Sequence, residues 1–296
     1  MKSPLILGTA QLGLQYGIAN ASGKPSQADA NEIVRVAWED GIVFYDTAMA
    51  YGESERVLGQ ALRAAGILQP NIITKLMPTL SAADAPDMPI ALKGSLQRLG
   101  VKKLYAVFLH REEQIHLLDG PVGSALTDCL ADGIAERIGV SVYSTEGAVE
   151  ALQHSLVGCI QIPSSLFDRR FEHAGIFKLA QKLKKEIHVR SVLLQGVLAM
   201  NPNALPCSLL PLRPYLSRFL SCCERYAVDP APMALAWAVR RYEGAKILFG
   251  AELAEQVRNN MAFQNRWPNL PSQVWEDLEE IIPPQLPELL NPSNWK

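Results

Sequence analysis

The sequence predicts a single α/β domain folded as a closed barrel of eight parallel strands, a (β/α)8 TIM barrel with a C-terminal helix and tail. Eight short apolar runs alternate with helical segments over the whole chain, and no linker divides its 296 residues. The runs are nearly continuously apolar, as in parallel strands covered by helices. Eight such units favour a closed barrel over an open sheet, so we expect one domain spanning residues 1–296.

Each predicted strand is a short run of mainly aliphatic residues bounded by polar residues, glycine or proline. The eight runs are Leu5–Gly8, Ile42–Asp46, Ile72–Lys75, Leu104–His110, Arg137–Ser141, Cys159–Pro163, Val189–Leu193 and Lys246–Gly250.

The intervening helices carry capping and stop signals. Ser26 can cap a helix through Trp38, with Asp29 in its first turn and Gly41 just beyond its end. Apolar residues at helical spacing predict further helices at Glu53–Ala65, Pro89–Leu99, from Ser144 or Thr145 onward, Phe171–Lys185, Leu212–Ala227 and Pro232–Arg241. The proline-rich stretches Pro202–Pro214 and Pro283–Pro292 read as a long loop and a tail.

Composition narrows the class of protein. The net charge of −2 provides no basic footprint for nucleic acid, and no run of like charges indicates a membrane patch. The five cysteines are odd in number and show no C-x-x-C spacing, which is typical of a reducing compartment. With no signal peptide or transmembrane stretch in the sequence, we expect a cytoplasmic protein with no membrane partner.

Four ionisable residues end or closely follow successive predicted strands: Asp46, Tyr51, Lys75 and His110. Strand ends on this side of a barrel face its active site. A nearby lysine favours the tyrosine phenolate, and an aspartate keeps that lysine charged. The phenol can then exchange a proton with a carbonyl oxygen that a neutral histidine orients, without a metal. Such chemistry needs a hydride donor, which side chains cannot provide.

Each residue alone has a simpler interpretation. Asp46 can cap a helix, Tyr51 can be a packing aromatic, and His110 can be a core histidine. Lys75 can be a snorkelling strand-end lysine or the Schiff-base lysine of a lyase or aldolase. A non-catalytic cofactor-binding or regulatory subunit on the same fold is a third hypothesis. The grouping of all four residues favours the proton-transfer interpretation.

Motifs over nearly the whole chain resemble the aldo-keto reductase family. The most specific is GIVFYDTAMAYGESERVLGQAL (Gly41–Leu62), which holds Asp46 and Tyr51. Further similar segments, in family order, are LILGTAQLG at the start, IITK (Ile72–Lys75), SLQRLGV (Ser95–Val101), VFLH (Val107–His110), IGVS (Ile138–Ser141) and the turn and helix start at Gly250–Asn260.

The resemblance implies an NAD(P)H-dependent oxidoreductase that reversibly reduces an aldehyde or ketone. It makes Tyr51 the general acid/base, Lys75 and Asp46 its tuning partners, and His110 the residue that orients the carbonyl. NADP(H) is favoured and NAD(H) is possible. The implied cofactor contacts are Ser141 and Gln161 at the nicotinamide, Ser191, Leu193 and Gly196 at the pyrophosphate, and Gly250, Gln256 and Asn260 at the adenosine. No metal is implied, and a monomer or weak dimer is expected.

Three positions depart from the family pattern. Val142 replaces an asparagine after the serine of the fifth strand, and Arg190 replaces an aromatic that stacks on the nicotinamide. Glu252 lies where a cation often meets the 2′-phosphate, and the nearest cation is Arg258, so this sequence weakens the preference for NADP(H). Arg111 and Arg190 hint at a polar or anionic substrate, although solvated rim charges are the simpler interpretation.

Overall fold

The structure, a computed structural model, describes residues 3–20, 23–264 and 266–295. Eight parallel strands pair in chain order and close into a barrel, because β8 pairs with β1 through Leu5↔Ile247 and Gly8↔Gly250. The predicted fold class is therefore confirmed. The strands are Leu5–Gly8 (β1), Phe44–Asp46 (β2), Asn71–Lys75 (β3), Ala106–Leu109 (β4), Ile138–Ser141 (β5), Val157–Pro163 (β6), Glu186–Arg190 (β7) and Lys246–Gly250 (β8).

The helices surround the barrel and bury their apolar faces against the strands. They are Ala10–Gly13 (α1), Gln27–Glu39 (α2), Ser54–Ala64 (α3), Met88–Leu99 (α4), Pro121–Ala131 (α5), Thr145–Gln153 (α6), Arg170–His173 (α7), Ile176–Leu183 (α8), Arg213–Arg225 (α9), Pro230–Arg241 (α10), Ala254–Gln264 (α11), Ser272–Glu279 (α12) and Pro287–Leu290 (α13). Among the residues described, no helix combines the length and apolarity needed to cross a bilayer.

Local signals explain several helix ends. Ser26 accepts a hydrogen bond from the backbone of Asp29, whose carboxylate returns one, so α2 begins in a capping box. Ser144 caps α6 through the backbone of Gly147. The helix α4 ends at Gly100, which adopts a left-handed conformation with φ of 72°.

The predicted seventh strand, Val189–Leu193, was placed about three residues too late. Its true range begins at Glu186 and includes His188, two polar residues that mask the strand in an apolar scan. Both enter the barrel floor, where Glu186 pairs with Lys246 and accepts a hydrogen bond from Tyr105 at 2.7 Å. The strand ends before Ser191, whose φ of 60° is incompatible with an extended chain.

The predicted helix Phe171–Lys185 is also wrong as a single element. It is divided into α7 and α8 by Gly175, which has a φ of 75°. A glycine adopts this left-handed conformation without the steric cost that a side chain would bring. The sequence pattern therefore identified the helical faces but not the break between them.

The barrel interior is layered. A small apolar layer at its centre contains Ile6, Ile73, Ala106, Phe108 and Cys159. Polar residues lie on both sides of it, at the floor and at the mouth. The mouth layer is formed at the carboxyl ends of the strands, where loops gather and where barrels of this kind place their functional groups.

Candidate active site

Asp46 and Lys75 form a buried ion pair at the mouth of the barrel. They end the neighbouring strands β2 and β3, and their side chains are 4% and 1% exposed. Lys75 Nζ donates to Asp46 Oδ1 at 2.5 Å and to the backbone oxygen of Thr47 at 3.1 Å. Burial alone would lower the pKa of Lys75, but the Asp46 carboxylate and Tyr51 together outweigh it and the pKa is raised. Lys75 is therefore a charged ammonium group at neutral pH.

The loop that carries Tyr51 is held rigidly between β2 and α3. The hydroxyl of Ser54 donates to the backbone oxygen of Thr9 at 2.7 Å and accepts from Thr47 at 2.9 Å. Gly13 packs so closely that an added Cβ would lie 1.8 Å from the backbone oxygen of Tyr51. These contacts fix the position of the tyrosine over the barrel mouth.

Tyr51 lies against two of the other three predicted catalytic groups. Lys75 Nζ is 5.1 Å from the centre of its ring, and the ring of His110 meets it edge-on with centroids 5.7 Å apart. Burial raises the pKa of Tyr51, while the charge of Lys75 opposes that rise. The phenol is thus protonated at neutral pH and available as an acid.

His110 is a neutral imidazole. Burial, followed by the charge of Lys75, lowers the pKa of His110 to about 4. The backbone N–H of His110 donates to Gln114 Oε1 at 3.0 Å, which fixes the residue just beyond β4. Within the described chain its buried Nδ1 has no hydrogen-bond partner. A neutral imidazole can donate one hydrogen bond without carrying a charge into the site.

Gln161, on the opposite side of the barrel, hydrogen-bonds the Asp46 carboxylate of the ion pair. It lies in β6, two residues before the end of that strand, and is 1% exposed. Its Nε2 donates to Asp46 Oδ2 at 2.8 Å, so both carboxylate oxygens have partners. The sequence did not reveal this contact, because 115 residues separate the two positions. Ser141 pairs with Gln161 in the β5–β6 register and is buried beside it.

A cleft of about 470 Å³ opens over this group and runs across the mouth. Most of the residues assigned to the cofactor from the sequence line it, together with two of the four catalytic candidates. These lining residues are Asp46, Tyr51, Gln161, Ser191, Leu193, Gly196, Gly250, Gln256 and Asn260. Lys75, His110 and Ser141 do not line it. The structure thus brings together residues from distant parts of the chain along one groove.

The far end of the cleft is formed where β8 leads into α11. Gln256 Oε1 accepts from the backbone N–H groups of Glu252 at 2.8 Å and Leu253 at 3.2 Å. Arg258 points away to pair with Glu32 at 2.6 Å. In the part of the chain that the structure describes, Arg190 is the single lysine or arginine lining the cleft, whereas Glu252 and Asp229 both line it.

Arg190 is the residue that sequence reasoning placed least well. It is not a solvated rim charge: it ends β7, is partly buried and lines the cleft. Arg111, the other arginine considered from the sequence, does not line it. Asp229 and the hydroxyl network of Thr9, Thr47 and Ser54 were missed, because neither has a motif that stands out along the chain.

Metal coordination was not expected from the sequence. Among the residues that the structure describes, no cluster of three or more histidine, cysteine or acidic side chains is arranged to hold a metal ion. The five cysteines are free thiols, four of them buried.

Comparison with known proteins shows the family of this chain. The chain is 24% identical to a pyridoxal 4-dehydrogenase of Microbacterium luteolum, over 92% of each chain. Its fold superimposes on that of an aldo-keto reductase from Bacillus halodurans, solved in its holo form, with a TM-score of 0.76 at 20% identity. That superposition covers 96% of this chain and 93% of the other. The model of the aldo/keto reductase family matches residues 4–283, which include all eight strands of the barrel. The chain therefore belongs to the aldo/keto reductase family of oxidoreductases.

Proposed function

We propose that this protein reduces an aldehyde or ketone to an alcohol, reversibly, with a nicotinamide cofactor as the hydride donor. The observation that carries the proposal is the position of the Tyr51 phenol. It lines the cleft, contacts the Lys75 and His110 side chains, and is protonated at neutral pH.

The cleft fits an elongated cofactor. Its volume of about 470 Å³ lies within the range of small-molecule sites. Gln161 and Ser141 would hold the nicotinamide end, and the loop of Ser191, Leu193 and Gly196 would hold the pyrophosphate. Gly250, Gln256 and Asn260 would hold the adenosine end. When bound, the cofactor supplies the hydride that no side chain can provide.

The chain's own residues supply the proton and the orientation. Tyr51 donates its phenolic proton to the carbonyl oxygen as negative charge develops there. Lys75 stabilises the resulting phenolate, and Asp46 holds Lys75 in place. His110, being neutral, hydrogen-bonds the same oxygen and orients the carbonyl without competing for the proton.

The lysine-based alternative fits the structure less well. A Schiff base requires a neutral amine that reaches the substrate. Lys75 is charged, 1% exposed, and does not line the cleft. A purely regulatory role leaves the Tyr51, Lys75 and His110 arrangement without a use.

The charges at the adenosine end favour NAD(H) over the NADP(H) implied by the family resemblance. A 2′-phosphate would meet Glu252, while Arg258 is engaged by Glu32. We retain the expectation of a cytoplasmic monomer or weak dimer, and free thiols suit a reducing compartment.

The test is a titration of the purified protein with NADH and, separately, NADPH, followed by tryptophan fluorescence. Cofactor oxidation is then measured with a panel of aldehydes and ketones. We expect saturable binding, tighter for NADH, and carbonyl-dependent oxidation. Failure to bind either cofactor would contradict the proposal.

A further inference from the structure

Three contacts fix the guanidinium group of Arg190 at the mouth of the barrel. Its guanidinium lies 4.2 Å from the centre of the Tyr143 ring. Its Nη2 donates to the backbone oxygen of Val142 at 3.3 Å, and its Nη1 donates to Ser191 Oγ at 3.2 Å. These contacts orient the group, but they supply only neutral acceptors.

Among the residues that the structure describes, the positive charge of Arg190 has no matching carboxylate. Within the described residues no acidic side chain lies at ion-pair distance from it, and its buried Nε has no partner at all. Two other arginines withdrawn from solvent are matched: Arg169 pairs with Glu279 at 2.6 Å and Arg170 with Asp168 at 2.8 Å. Removing a cation from water is costly unless an anion compensates it. An anionic ligand in the cleft would provide that compensation.

Residues around Arg190 line the same cleft as Tyr51, the proposed proton donor. Burial raises the pKa of Tyr16, while the charge of Arg190 and the side chain of Gln195 oppose that rise. Tyr16 in turn contributes to raising the pKa of Tyr51, after the larger effect of burial. Tyr16, Arg190 and Gln195 all line the same cleft as Tyr51. We call these three residues the Arg190 corner.

The loops that form the Arg190 corner are locked together in strained conformations. Ser191 and Gln195 adopt positive φ angles of 60° and 53°, which are unusual for residues with a side chain. The backbone N–H of Ala19 donates to the oxygen of Gln195 at 3.4 Å, which ties the Tyr16 loop to this one. Such strain persists where the structure around it fixes a functional geometry.

We propose that the Arg190 corner binds an anionic group of the substrate, so that the substrates are aldehydes or ketones that carry a carboxylate or phosphate near the carbonyl. Arg190 supplies the charge and donors, with Tyr16 and Gln195 as neutral partners, while the carbonyl oxygen lies at Tyr51. This inference rests on the proposed carbonyl reduction and names its substrate class.

Two matched substrate pairs test it. One pair is phenylglyoxylate and its methyl ester, and the other is glyceraldehyde 3-phosphate and glyceraldehyde. We expect the wild-type protein to prefer the charged member of at least one pair. Arg190→Gln should lower kcat/KM for that member by about 30-fold or more relative to kcat/KM for its neutral counterpart. Arg190→Lys keeps the charge and should recover part of the loss, and Arg111→Gln, outside the cleft, should change neither.

A calorimetric titration of the same proteins with phenylglyoxylate and with glyceraldehyde 3-phosphate separates this inference from the proposed reaction. If neutral carbonyls are reduced but no anion is preferred or bound through Arg190, the inference is overturned and the reaction stands. If an anion binds through Arg190 but no carbonyl oxidises the cofactor, the anion site stands and the reaction fails. Equal losses for charged and neutral substrates, or a change confined to cofactor affinity, would assign Arg190 to the cofactor and overturn the inference.

Discussion

The Asp46 carboxylate lies 2.5 Å from the Lys75 ammonium, and both are almost completely enclosed. This pair sets the electrostatics of Tyr51, because the lysine charge lowers the pKa of the phenol while burial and the Asp46 charge raise it. The balance between these opposing effects predicts how substitutions change the pH dependence of the reaction.

Lys75→Met should raise the pKa of Tyr51 further. It removes the group that stabilises the phenolate and leaves the Asp46 charge nearby without compensation. We expect slower alcohol oxidation, whose loss of activity at low pH is displaced to higher pH because the reaction needs the phenolate, measured as the pH profile of kcat. In the double variant Asp46→Asn/Lys75→Met, which also removes the Asp46 charge, the pH profile of kcat should return part of the way to that of the wild-type protein. A profile that Lys75→Met leaves unchanged would contradict the coupling.

His188, which is buried, and His110, which is half-buried, predict that the protein loses stability in acid. Burial lowers the pKa of His110 to about 4 and also lowers the pKa of His188. Between an ordinary histidine pKa of about 6.5 and these lowered values, the unfolded chain therefore binds more protons than the folded one. Stability should fall as the pH decreases from about 6.5 towards 4.

Urea unfolding at several pH values measures this slope. His110→Gln and His188→Gln should each flatten it, while His173→Gln, at an exposed position, should leave it intact. An equal slope in the wild-type protein and all three variants would show that neither His110 nor His188 is responsible.

Substituting Glu186 at the floor of the barrel should lower the free energy of unfolding. Glu186 pairs with Lys246 and accepts hydrogen bonds from Tyr105, both within the barrel. Glu186→Gln leaves the Lys246 charge without its counter-ion. We expect a loss of about 2 kcal/mol in unfolding free energy, less than the roughly 3–5 kcal/mol of a fully enclosed pair.

The matched control is Glu39→Gln, which removes an exposed partner of Arg35 and should cost about 0.5 kcal/mol or less. Chemical denaturation measures both variants. Equal losses for Glu186→Gln and Glu39→Gln would mean that the floor pair contributes no more than a surface pair.

The close approach of Gly196 to Ala19 should be needed for cofactor binding. An added Cβ would lie 2.5 Å from Ala19 Cβ, so Gly196→Ala should push apart the two loops over the cleft. Gly244 has a similar positive φ, 85° against 94°, but its Cβ would meet open space. Both alanine variants should lose roughly 1 kcal/mol of stability from the backbone.

Only Gly196→Ala should also weaken cofactor binding in a fluorescence titration, because only its added methyl displaces the cleft loops. Unchanged affinity in that variant would show that the loops do not need to meet for binding.

The sequence was most informative where a strand ends in a charged residue. Asp46 and Lys75 end apolar strands, where a charge requires an explanation, and both strands were predicted with their correct carboxyl ends. It was least informative where polar residues face inward. Glu186 and His188 displaced the predicted seventh strand, because their partners come from other strands and only the closed barrel brings them together.

Arg190 shows a second limit of sequence reasoning. An arginine after a strand is usually solvated, and the simpler interpretation treated it so. Its environment depends on Val142 and Tyr143, which lie 47 or more residues earlier in the chain and reach it only across the mouth. No local pattern encodes such a contact, whereas the register of the strands determines it.

The most direct test of the account is Tyr51→Phe, which removes one hydroxyl and little volume. If Tyr51 donates the proton, kcat for carbonyl reduction should fall by about 100- to 10,000-fold. The dissociation constant for NADH or NADPH, measured by fluorescence on the same preparation, should change by less than about twofold, because only the transferable proton is lost. A variant that binds cofactor and retains full turnover would contradict the proposed role of Tyr51.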